Sequence, residues 1–114
     1  MKGKRGNDSA IMQITEVQMS LKKLTTTAVR QAIAEFDRLG REKFLDRYGF
    51  AEAREYFLMY KGRAYDSKAI VGVAHKFLPN GRVLPAQKFS GGISGAAAEL
   101  EKLGFVVQAG SLAA

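Results

Sequence analysis

Between Thr25 and Gly104 the hydrophobic period of the chain changes several times, and each change predicts an element. Val29, Ala32, Ile33 and Phe36 recur at i, i+3, i+4 and i+7, which makes one apolar face of a helix over about Ala28 to Leu39. Thr25, Thr26 and Thr27 offer N-cap hydroxyls at its start, and Gly40 is the natural stop. A shorter helix, Arg41 to Tyr48, presents Phe44, Leu45 and Tyr48 and stops at Gly49. The period then falls to two. Arg54 to Tyr60 reads as a strand, with Tyr56, Leu58 and Tyr60 on one side and Phe57 and Met59 on the other. Lys61-Gly62 supplies a tight turn, because glycine accepts positive φ, and Arg63 to Asp66 returns as the second strand.

From Lys68 to Leu78 the period is helical again. Ile70, Val73, Ala74 and Phe77 form the inward stripe, while Lys68, Gly72 and His75 share the opposite face with Lys76 beside them. Pro79-Asn80-Gly81 ends this helix, and Pro85 breaks the extended or looped segment Val83 to Phe89. Ser90-Gly91-Gly92 leads into a last helix around Ser94 to Leu103. Its buried face is Ile93, Ala96, Ala97 and Leu100, and Gly104 stops it. Phe105 to Val107 is a short apolar strand suited to pairing with the hairpin. The predicted fold is therefore α+β, a small antiparallel sheet of about three strands packed against three or four helices.

The ends carry less pattern. Met1 to Ser9 is polar and cationic and reads as a mobile arm, while Ile11 to Leu21 fits a helix or a loosely docked segment. The expected organisation is a flexible basic arm over 1–20, one domain over 21–108 and a tail over 109–114. The 114 residues, 46% of them hydrophobic, suffice for one core. No apolar run approaches the ~18 residues of a membrane span, and no secretory signal is present, so a cytoplasmic protein is expected. The absence of cysteine excludes disulfides, thiol nucleophiles and cysteine-based zinc sites, and a single histidine excludes a multi-histidine metal site. No cofactor is signalled.

Charge changes the picture most. The net charge is +7, and Tyr60 to Gly92 holds Lys61, Arg63, Lys68, Lys76, Arg82 and Lys88 against Asp66 alone. Such a run suits a polyanion, because neutralising phosphates releases condensed counterions; a solubilising surface is the plain alternative. Within it Lys68 is the cation hardest to explain by folding, since a positive charge in the first helical turn opposes the macrodipole. Ser67 is the expected N-cap of that helix. Ser90, Gly91 and Gly92 read either as backbone donors to an anion or as a simple turn. Gly72 marks a close approach, by another part of the chain or by a ligand. His75 reads as an exposed histidine, with a phosphate or base-edge contact as the alternative. No nucleophile elbow, phosphate-binding glycine motif or clustered acids are present, which argues against an enzyme.

Gly62-Arg63-Ala64-Tyr65-Asp66-Ser67-Lys68-Ala69-Ile70-Val71-Gly72-Val73-Ala74-His75, followed by Phe89-Ser90-Gly91-Gly92 and Leu103-Gly104-Phe105-Val106-Val107, resembles the N-terminal head domain of ScoMcrA-type modification-dependent HNH endonucleases. The likeness covers about Ala28 to Val107. It implies a place in bacterial DNA restriction, where larger proteins add domains for phosphorothioated or methylated DNA and an HNH nuclease. This chain has no room for those domains, so cleavage is not carried over. The expected function is a non-catalytic DNA-binding module of a restriction or defence system, with Lys61, Arg63, Lys68, His75, Lys76, Arg82, Lys88 and Ser90 to Gly92 on the DNA. A nuclease is a possible partner. The alternative is a protein–protein adaptor that docks a nuclease or a second copy through the sheet edge; a small-anion sensor at the glycine loop is a third reading.

Overall fold

Thr25 opens the first helix with an extended backbone (φ −123°, ψ 157°), and its hydroxyl accepts the Ala28 N–H at 3.1 Å. That bond satisfies one of the amides that a helix start leaves without a partner. Helix α1 (Thr26–Leu39) buries the predicted stripe, Val29, Ala32, Ile33 and Phe36, together with Ala28 and Glu35. Helix α2 (Arg41–Tyr48) has the predicted bounds and buries Phe44 and Leu45. The computed structural model describes residues 19–92 and 95–110. Residues 1–18 of the arm expected over 1–20, Ile93 and Ser94 at the start of the last helix, and residues 111–114 of the tail expected over 109–114 lie outside the described residues. Residues 19–22 are helical, and Leu21 is buried in the core.

The sheet has the order β2-β1-β3 and is antiparallel throughout. Strand β1 (Tyr56–Tyr60) and strand β2 (Arg63–Asp66) pair through Tyr60↔Arg63, with Lys61 (φ 49°) and Gly62 (φ 78°) as the two-residue turn. Two successive positive φ values match the right-handed twist of the flanking strands. Strand β1 starts later than the sequence pattern suggests. Arg54 and Glu55 instead bend beside Ala53, whose N–H is held by Asp66 at 2.8 Å. Strand β3 (Val106–Ala109) pairs with β1 from Met59↔Val106 to Tyr56↔Ala109.

Helix α3 (Ser67–Ala74) follows β2 without a loop and packs against α1, the sheet and helix α4 (Ala96–Lys102). Ala69 to Ala74 are all buried, so beyond Lys68 the helix is enclosed on every side. The predicted polar face through Gly72 and His75 therefore does not exist. A side chain at Gly72 would overlap the Phe50 ring and come within 2.7 Å of the Leu84 carbonyl, and the Leu84 N–H donates to the Gly72 carbonyl at 2.9 Å. Packing, not a ligand, accounts for this glycine. The helix also ends four residues earlier than predicted. His75–Phe77 tighten into a 3₁₀ turn, because Leu78 must be extended (φ −82°, ψ 157°) before Pro79.

Candidate functional site

Strand β2 runs directly into α3, so the junction Asp66-Ser67-Lys68 has no slack, and each of its side chains faces a different neighbour. Asp66 is buried and accepts three donors: Arg41 Nε at 2.9 Å, Arg41 Nη2 at 2.8 Å and the Ala53 N–H at 2.8 Å. Two parallel bonds from one guanidinium are the strong form of this pair. The bond to Asp66 raises the Arg41 guanidinium above its ordinary value. Ser67 is not the N-cap. Asp66 occupies that position, and the Ser67 hydroxyl donates to the Tyr56 carbonyl at 2.9 Å, tying the helix start to β1. Asp66 and Ser67 thus fix both ends of the segment from Ala53 to Tyr56.

Lys68 points the other way. Its ammonium stands 5.2 Å from the centroid of the Phe89 ring, and Gly91 lies so close that a built Cβ would be 3.2 Å from Lys68 Cβ. The missing side chain at Gly91 is what lets the loop rest on the lysine stem. The aromatic face explains part of why a cation is tolerated in the first turn. Lys68, Ser90, Gly91 and Gly92 line one cleft of about 590 Å³, whose other wall includes Glu52, Arg54 and Glu55. Within the loop, the Gly92 N–H already donates to Ser90 Oγ at 3.1 Å, and the Ser90 carbonyl accepts the Ala96 N–H at 2.8 Å. The expected row of three open backbone donors is therefore reduced: part of it holds the loop and starts α4.

The remaining predicted residues lie elsewhere. His75 is buried, with Nδ1 2.7 Å from the Val71 carbonyl and Nε2 3.0 Å from the Ser20 carbonyl, so it has no exposed edge to offer. Lys76 bonds Glu35 at 2.7 Å and the Tyr48 hydroxyl at 2.6 Å, which uses its charge inside the fold. Arg82 lines a separate cleft of about 680 Å³ with Lys23. Lys61 sits at the hairpin tip over the Tyr60 ring, and Arg63 pairs with Asp37 at 3.2 Å. Asp37 also accepts the Tyr65 hydroxyl at 2.8 Å; burial first, then this carboxylate, pushes the Tyr65 phenol up to about 12. Lys88 is exposed on the turn just before Phe89. Of the cations picked from sequence, only Lys68 shares a cleft with the glycine loop. Arg54, which also lines that cleft, and Arg41, which bonds Asp66 in its lining, carry no local sequence signal beyond being arginines.

These motifs in this arrangement have a counterpart among known proteins. The family model for the ScoMcrA-like N-terminal head domain matches residues 22–109. The chain belongs to this family. A solved structure, that of the type IV phosphorothioation-dependent restriction endonuclease ScoMcrA, is 37% identical with a TM-score of 0.56 over 76% of this chain. The match spans 13% of that endonuclease chain, so this head domain is similar to one part of a much larger protein. A comparison with curated proteins gave no match. Among the described residues of the head domain, no helix is long and apolar enough to cross a membrane, and no group of three His, Cys, Asp or Glu residues could hold a metal ion.

Proposed function

We propose that this head domain is a non-catalytic DNA-binding module of a restriction or defence system. The observation that carries the reading is the cleft in which Lys68 and the Ser90–Gly92 loop converge with Arg54. A cation held by its stem against Gly91 and Phe89 loses little freedom when it meets a phosphate, so more of the contact energy remains as affinity. The likeness to part of a restriction endonuclease supports DNA as the polyanion. Phosphate contacts position a protein without reading sequence, so this cleft supplies affinity and register, not discrimination between bases.

Fluorescence anisotropy with labelled duplex, unmodified and phosphorothioated, at two salt concentrations tests this. Binding should weaken with salt, and Lys68→Glu should weaken it further. Loss of a charged hydrogen bond is worth about 1.5–3 kcal/mol, or roughly ten- to a hundredfold in affinity. Absence of binding at low salt would refute the reading. One observation favours an adaptor instead: Val106 on the edge strand β3 is 64% exposed, and a strand edge beside an exposed apolar side chain can add another chain. Association that ignores salt would favour that alternative.

A further inference from the structure

Arg41 does not itself line the cleft, but its guanidinium plane is fixed by two bonds to the buried Asp66, which does. Its third nitrogen, Nη1, makes neither of these bonds and lies 3.4 Å from Glu52 Oε2. That distance is beyond a good hydrogen bond, and the partners are 43% and 73% exposed. Ion pairs of this kind between solvated side chains are weak and easily exchanged. Glu52 and Asp66 both line the cleft that Lys68 and the glycine loop enter. A free donor on a pre-oriented guanidinium, loosely covered by an exposed carboxylate, is what an anion site looks like when an internal anion occupies it.

We infer that Arg41 is a second anion ligand of this cleft, and that the Glu52 carboxylate covers its Nη1 until a phosphate displaces it. The inference rests on the phosphate-binding reading above and deepens it: the cleft takes a phosphate oxygen between Lys68 and Arg41, and Glu52 lowers its affinity. Because Asp66 balances the charge of Arg41, recognition there depends on the direction of the N–H group more than on net charge.

Removing Arg41 would leave Asp66 buried without its partner, so the test leaves that pair intact. Glu52→Gln removes the covering carboxylate, and Glu55→Gln is the control, an exposed acid on the same wall. General loss of negative charge acts on both variants alike. Competition predicts that Glu52→Gln tightens duplex binding about threefold or more beyond Glu55→Gln, the size expected for release of one exposed ion pair. A second readout needs no DNA: inorganic phosphate titrated into Glu52→Gln should move the Arg41 Nε–Hε NMR signal, and move it less in the unaltered protein. Equal tightening in the two variants, or an Arg41 signal that phosphate leaves in place in Glu52→Gln, overturns the inference. If no form binds duplex while phosphate still moves the Arg41 signal, the Arg41 site stands and the DNA reading falls.

Discussion

Glu35 shows how much a single buried side chain can redirect. It lies on the inner side of α1, accepts the Tyr48 hydroxyl and bonds Lys76 at 2.7 Å, while the Lys76 ammonium also stands over the Tyr48 and Phe77 rings. Burial pushes the Glu35 carboxyl up, but the bonds from Lys76 and Tyr48 outweigh it and hold it below its ordinary value of 4.5. A carboxyl whose folded value is depressed stabilises the fold above the unfolded value and loses that contribution as pH falls through the folded one. Lys76→Met keeps the stem and removes the charge, leaving the buried Glu35 without its cation and bonded by the Tyr48 hydroxyl alone. The expected cost at pH 7 is about 2 kcal/mol, below the ~3–5 of a fully buried pair because Lys76 keeps some solvent. At pH 4 the unpaired carboxyl takes up a proton and the gap should narrow. Urea unfolding at the two pH values checks this; an equal gap at both would mean the loss is one of packing alone.

At the scale of elements, the glycine in α3 separates two opposing effects. Gly72→Ala should gain about 1 kcal/mol of helix propensity. Against this, the new methyl meets the Phe50 ring and the Leu84 carbonyl, and that carbonyl is backbone, which cannot swing aside as the end of a flexible side chain can. Overpacking of this kind costs about 1–3 kcal/mol, so net destabilisation is expected in a denaturant melt, and a stabilised variant would show that the 82–86 segment yields freely. The same helix marks how far the sequence could be read. The bounds of α2 and β2 and the turn at Lys61-Gly62 follow from local rules, since glycine stops and period-two alternation act within a few residues. The polar face assigned to Gly72 and His75 does not, because periodicity tells which residues share a face and not what covers it. His75 meets the carbonyl of Ser20, 55 residues away, and Asp66 meets Arg41, 25 away. Lys68 beside the glycine loop was legible as a cation in the wrong place for the helix dipole. Arg41 was not, because its role comes from Asp66, and nothing local links them.

For the whole molecule, the question is how many of its cations one duplex can touch. The sequence places six in Tyr60 to Gly92 within a net charge of +7, and six phosphate contacts would give a log–log salt slope near −5.4. The fold separates them. Lys76 is paired with Glu35 and Arg63 with Asp37, Lys61 is at the hairpin tip, and Arg82 belongs to a different cleft from Lys68. A duplex seated at the Lys68 cleft meets Lys68, Arg54 on the opposite wall and Lys88 beside Phe89. These three cations predict a slope of about −2.7, because Arg41 is already neutralised by Asp66 and adds direction without net charge. Arg82→Glu should then leave the slope unchanged, whereas Lys68→Ala should flatten it by about 0.9. Anisotropy across a salt series decides between the two counts. A slope near −5 that falls with Arg82→Glu would mean that DNA engages several sides of the domain, as bent DNA or a second bound molecule would, and the Lys68 cleft would lose its claim to be the place where binding is set.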